Sequence, residues 1–149
     1  MRLLIAVYSC LRRDAAWARR MGGGGGCVAS LIDSLRQVMA VDGVRSAALV
    51  DIATGMVVRS AGEEGTELRA VAAALADEAR MARAALGPGR PGGDLEEISV
   101  ITARRVHLSK VLGTRLGEGM LLFVDVDRTR VNIALASLQV GQLAPAVLA

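Results

Sequence analysis

Aromatic residues are almost missing from this chain: Tyr8, Trp17 and Phe123 are all it has. A core without rings must be aliphatic, built from Leu, Val, Ile, Met and Ala, and the platforms on which single-stranded nucleic acid stacks are missing as well. Histidine is scarcer still, with His107 alone, and the two cysteines, Cys10 and Cys27, both precede the main body of the chain. That inventory excludes a disulfide framework and a Cys/His zinc cluster, and it suits a reducing cytosol. Lys110 is the single lysine; the rest of the 18 basic residues are Arg. Together with the Ala and Gly content this reads as a compositional bias of the source, so Arg richness carries no functional message.

The formal charge of +3 comes from one end of the chain. The first twenty residues hold Arg2, Arg12, Arg13, Arg19 and Arg20 against Asp14, and removing them leaves 13 basic and 14 acidic residues from Met21 onward. A nucleic-acid binder carries its basic excess as a patch on the folded domain, and this near-neutral body argues against one.

At 149 residues the chain suffices for one domain with a proper core and not for two. "LLIAVYSCL", Leu3 to Leu11, has the length of a signal-peptide core, but "RRDAAWARR" follows where small residues should mark a cleavage site. Nine residues are also far short of a membrane span. Two readings remain: an interfacial helix with its arginines at lipid head groups, or, favoured, a disordered extension or an upstream start codon, the natural start being Met21. "GGGGG" at Gly22 to Gly26 is a flexible tether. No Gly-Lys-Ser/Thr follows it as in a phosphate loop, and Gly26 occupies the place where a myristoylation signal needs Ser or Thr. The expected organisation is therefore an extension over residues 1–27, a domain over 28–142 and a tail over 143–149.

Within the domain, Ser30 and Asp33 resemble a capping box, and Val28, Leu31, Ile32, Leu35, Val38 and Met39 share one helical stripe. "SAALVDI" and "MVVRS" are β-prone runs joined by "ATG", where Gly55 supplies the positive φ of a tight bulged hairpin and Asp51 bonds turn amides. A second helix follows, with Thr66 as N-cap, Gly87 as its stop and Leu68, Val71, Leu75, Ala79, Ala82 and Leu86 at helical spacing. It is also lined with Ala72, Ala73, Ala76 and Ala79. Either a partner helix approaches closely there, or the alanines reflect composition and helix propensity. "PGRPGG" reads as an irregular loop. Three strands come next: "DLEEISVITA", with Ile98 and Val100 opposite Glu97 and Ser99; "RRVHLSKVL", alternating; and "GMLLFVDVD", continuously apolar as in a strand covered on both faces. A last helix begins near Asp127 or Thr129 and aligns Val131, Leu135 and Leu138, with Pro145 closing the structured part. This order packs most economically as an α+β domain, one mainly antiparallel five-stranded sheet with helices on both faces.

No chemistry-bearing constellation emerges. His107 lies mid-strand without a second His or Cys in the domain, so it reads as structural. Asp125 and Asp127 could face one way, as a divalent cation would require, but a strand passing into a helix cap explains them better. Glu96 and Glu97 point to opposite faces, Glu63 and Glu64 sit in a solvated turn, and neither a Gly-x-Gly-x-x-Gly loop nor a Gly-x-Ser-x-Gly elbow is present. The reading is a protein that is not an enzyme, with no catalytic residue, cofactor or metal.

"LIDSLRQVMAVDGVRSAALVDIATGMVVRS", an Ala-rich helix, and "ISVITARRVHLSKVLGTRLGEGMLLFVDVDRTRVNIALASL" resemble, as an ordered set, the roadblock family, named from a dynein light chain. The marks are the Gly-Val after the first helix, the Leu-Val-Asp hairpin ending in Gly55, the apolar fifth strand, and Asn132, Ala134 and Leu135 opening the final helix; the resemblance spans Val28 to Gln142. It implies a roadblock/profilin-like sandwich with strand order 2-1-5-4-3. It also implies a homodimer joined through third strands and second helices, here Leu75, Ala79 and Ala82 with Ile98, Val100 and Thr102. The role it implies is that of a cytoplasmic, non-enzymatic regulator or scaffold of a small Ras-like GTPase in bacterial signalling, encoded with a sensor kinase-like protein and touching membranes at most peripherally. The alternative class is a small-molecule sensor domain of PAS or GAF type, whose roomy pocket an aliphatic filled core argues against.

Overall fold

The computed structural model describes residues 26–87, 95–112 and 119–147, with side chains from residue 30 onward. The expected extension and the Pro-Gly loop lie essentially outside the described residues. Helix α1 spans Gly26–Met39, strands β1 Val44–Asp51 and β2 Val57–Gly62, helix α2 Thr66–Leu86, strands β3 Glu97–Ile101, β4 Arg105–Leu112 and β5 Met120–Asp127, and helix α3 Ile133–Val147. The strands form one sheet in the order β2-β1-β5-β4-β3, and every neighbouring pair is antiparallel. Element order, sheet and strand order agree with the sequence reading.

β5 sits at the centre because its run from Met120 to Val126 is buried throughout, which only a strand covered on both faces sustains. On one face, Leu35 and Val38 of α1 and Ala136, Val140 and Ala144 of α3 pack over Leu49, Leu108, Leu122 and Val124. On the other, Ala72, Leu75, Ala76 and Ala79 of α2 pack over Ala48, Val50, Leu121 and Phe123. The β1–β2 hairpin closes as its sequence demands. Gly55 takes φ 71°, the Asp51 carboxylate accepts from the Ala53 amide at 3.2 Å and the Thr54 hydroxyl at 2.6 Å, and the register shifts between Leu49 and Val50.

Four local expectations are corrected. α1 begins at Gly26, so Ser30 lies a turn inside it and Asp33 pairs with Arg36 at 3.0 Å rather than capping. The residue preceding α2 is Gly65, with no side-chain cap, and Thr66 is already helical. The last helix starts later, with the Asn132 side chain accepting from the Leu135 amide at 3.2 Å, while Asp127 instead holds the Thr129 amide and hydroxyl. It also runs past Pro145 to Val147, into the expected tail. Burial of Ala144 and Val147 beside Val140 offsets the hydrogen bond that proline cannot donate. Among the described residues no helix is long and apolar enough to cross a membrane.

Candidate interaction surface

Strand β3 is one rim of the sheet, its ladder formed with β4 through the register Glu97↔Lys110 to Ile101↔Val106. Its side chains divide sharply. Ile98 is half-buried against the cluster beneath α2, whereas Val100 and Ile101 are 39% and 52% exposed. Thr102 falls in the β3–β4 turn, where its amide donates to the Arg105 carbonyl at 2.9 Å and its hydroxyl accepts from the Arg105 amide at 3.0 Å. Helix α2 adds Met81, 62% exposed, and Leu86, 41% exposed. Among the described residues these apolar side chains are only partly covered, and the outer backbone edge of β3 has no neighbouring strand.

The sequence-derived interface set is thus split by the fold. Leu75 and Ala79, 5% and 0% exposed, face the protein's own sheet; Ala82 and Ile98 are half-buried, and Val100 and Thr102 are exposed. Because α2 turns about 100° per residue, the positions opposite Leu75 and Ala79 are Ala70, Asp77, Met81 and Ala84, all exposed. Met81, Leu86 and Ile101 are exposed apolar residues outside that set. The signal for Met81 was available, since it follows Asp77 by one helical turn and so belongs to the polar side. α3 is also reversed: Leu135 and Leu138, expected inside, are 53% and 59% exposed, and the small Ala136 and Ala144 face the sheet with Val140.

The polar residues singled out from sequence play local roles. His107 stacks on Phe123, ring centroids 5.7 Å apart. Its Nδ1 lies 3.4 Å from Asp125 Oδ1, and neither atom has a hydrogen-bond partner; Asp125 instead pairs with Arg105. These residues border an open cleft of about 290 Å³ together with Ser46, Glu63 and the start of α2. Among the described residues no hydroxyl or thiol hydrogen-bonds to the imidazole, so nothing forms a nucleophile–base couple. Asp125 and Asp127 do not act together, because Asp127 is occupied by Thr129, whose hydroxyl and amide hold its carboxyl below the usual carboxylate range. Glu97 and Glu96 are separated as expected, with Glu97 bonded to Lys110 and Ser137.

No family model matches the sequence, and no curated protein matches it. Solved structures do match. The gliding protein MglB from Thermus thermophilus is 21% identical with a TM-score of 0.67, over 83% of this chain and 90% of its own. A Roadblock/LC7 domain from Streptomyces avermitilis is 21% identical with a TM-score of 0.61, over 75% of this chain and 88% of its own. Myxococcus xanthus MglB is 16% identical with a TM-score of 0.65, over 80% and 86%. Strand order, helix placement and these likenesses agree: the chain has the fold of the roadblock family.

Proposed function

We propose that the protein is a homodimeric, non-enzymatic regulator or scaffold that docks on a small Ras-like GTPase in a bacterial signalling system, in the cytoplasm, alongside a sensor kinase-like protein. The observation that carries it is a strand edge unpaired among the described residues, with Val100 and Ile101 exposed on it and Met81 and Leu86 exposed on α2. An open apolar strand edge invites pairing with another chain. A twofold axis beside β3 would join two sheets edge to edge and lay the two α2 helices side by side. Ala82, Ile98 and Thr102 then border the interface, and Leu75 and Ala79 support it from within. At roughly 1.5–3 kcal/mol per fully buried large apolar side chain, covering the exposed parts of these four in both copies contributes on the order of 10 kcal/mol before the entropy of association is subtracted. The dimer presents shape to the GTPase and acts by shifting the populations of its switch segments.

Light scattering on the purified chain should give twice the chain mass, and Val100→Asp should give a folded monomer, because an aspartate tolerated at a wet edge becomes a stranded charge in a dry interface. Candidate GTPases in GDP and GTP-analogue states should form a complex on gel filtration in at least one state, while the chain alone turns over no nucleotide. A monomeric wild type, or failure of the native partner in both states, overturns the reading. The cleft beside His107 favours one other reading, a small-molecule sensor; a ligand retained in native mass spectrometry would select it.

A further inference from the structure

The proposed dimer uses one edge of the sheet, and β2 forms the other. The Glu63 amide donates to the Arg45 carbonyl at 3.1 Å and the Asp51 amide to the Met56 carbonyl at 2.9 Å. These bonds set the antiparallel alternation. The intervening pairs Ser46↔Gly62 and Ala48↔Ser60 therefore turn the N–H and C=O of Ser60 and Gly62 away from β1, toward the side where the described residues hold no further strand. A groove of about 460 Å³ runs along this edge between β2 and the first turns of α2, with Val57 and Leu68 among its walls, Met56 at one end, and Arg59 and Arg69 beside it. Val57 and Leu68 are half-buried against the cluster under α2, and Met56 is 55% exposed. Arg45, Arg80 and Arg105 each have a carboxylate partner. Arg59 and Arg69 are both exposed, and no carboxylate pairs with either among the described residues. The groove's one acid, Glu64, already accepts from the Ser60 hydroxyl at 2.9 Å.

We propose that this groove binds an extended, acidic and apolar peptide segment of a partner protein, which adds to β2 as a sixth strand. Main-chain bonds to Ser60 and Gly62 supply a ladder, alternate apolar side chains rest on Val57 and Leu68, alternate carboxylates meet Arg59 on the other face, and Arg69 on α2 adds to the attraction for an acidic segment. Charge decides against a second copy of this chain, because antiparallel pairing of two β2 edges brings arginine rows together. The bulge at Val58, the residue skipped between the pairs Val50↔Val57 and Leu49↔Arg59, blunts one half of the edge. The ladder is therefore short, and selection falls to the side chains. The proposal is independent of the GTPase reading and of the β3 dimer.

The test uses the full chain and a fluorescein-labelled ten-residue peptide alternating Glu with Val and Thr, followed by anisotropy and by amide hydrogen exchange. Expected are saturable binding that weakens with salt, slowed exchange at Ser60 and Gly62, and loss of binding when alternate peptide amides are N-methylated. The double variant Arg59→Glu, Arg69→Glu, both exposed and so harmless to the fold, should weaken binding about tenfold. No saturable binding at millimolar peptide overturns the proposal, as does equal binding of the Lys-for-Glu peptide or of the N-methylated one. Protection confined to residues 97–101 also overturns it, by placing the peptide on the other edge.

Discussion

Glu97, Lys110 and Ser137 tie the outermost strand β3 to β4 and α3, and removing one of them gives the sharpest test of how this sheet edge is kept in place. Glu97 stands opposite Lys110 in the ladder. Its carboxylate accepts from the Lys110 ammonium, from the Ser137 hydroxyl at 2.9 Å and from the Ser99 hydroxyl, and Lys110 also donates to Ser137 at 3.2 Å. The side chains of Glu97 and Lys110 are 23% and 19% exposed. Burial by itself raises the Glu97 pKa, but the hydrogen bonds from Lys110, Ser99 and Ser137, together with the lysine charge, outweigh it and hold the carboxyl below its ordinary range. A folded pKa below the unfolded one means stability that is complete above the unfolded pKa, about 4.3 for Glu, and lost as pH falls through the folded value. Breaking a fully buried pair by removing one partner costs about 3–5 kcal/mol; with roughly a fifth of each side chain still wet, Lys110→Met should cost about 2 kcal/mol, within the range for charged hydrogen bonds. Glu97→Gln, which keeps an acceptor for Ser137, should cost about 1 kcal/mol on the same scale. The double variant Glu97→Leu, Lys110→Met should cost less than the sum of its singles, because no charge is left stranded. Urea unfolding at pH 7 and in a series down to pH 3 reads all three, and the gap between wild type and Glu97→Gln should close in acid. Singles within 0.5 kcal/mol of wild type, the ordinary range of exposed substitutions, or strictly additive effects, would refute the clamp.

Other substitutions test separate steps. Gly62→Ala should destabilise by about 2 kcal/mol or more, since the backbone there has φ 93° and a Cβ would stand 2.7 Å from Met39 Cε and 2.9 Å from Ser46 Cα; a thermal melt within two degrees of wild type would contradict this. Leu75→Arg should abolish folding because Leu75 is core, whereas Met81→Arg should fold and lose the dimer, a contrast that circular dichroism and light scattering together resolve. A folded Leu75→Arg monomer would restore Leu75 to the surface and reverse the assigned face of α2.

The order of elements, the centrality of β5 and the turn chemistry of Asp51 and Gly55 were readable along the chain, because each depends on residues within about eight positions of one another. Strand order was reachable only through resemblance to the roadblock family. The orientation of α3 was not readable. α3 has no charged residue at all, so periodicity marks no inside, and the side with the closer fit to the sheet takes that place. That is why Leu135 and Leu138 face out; on α2 the exposed Asp77, Glu78 and Arg80 do mark the outer side, and it was the resemblance that set Leu75 and Ala79 at an interface. The clamp of Glu97, Lys110 and Ser137 joins residues 13 to 40 positions apart, and Arg59 and Arg69, with no carboxylate partner among the described residues, border an open strand edge only because β2 ends the sheet. Local spacing writes the elements; which faces are left open depends on how a helix without a polar stripe settles on a twisted sheet, and only the packed chain can answer that.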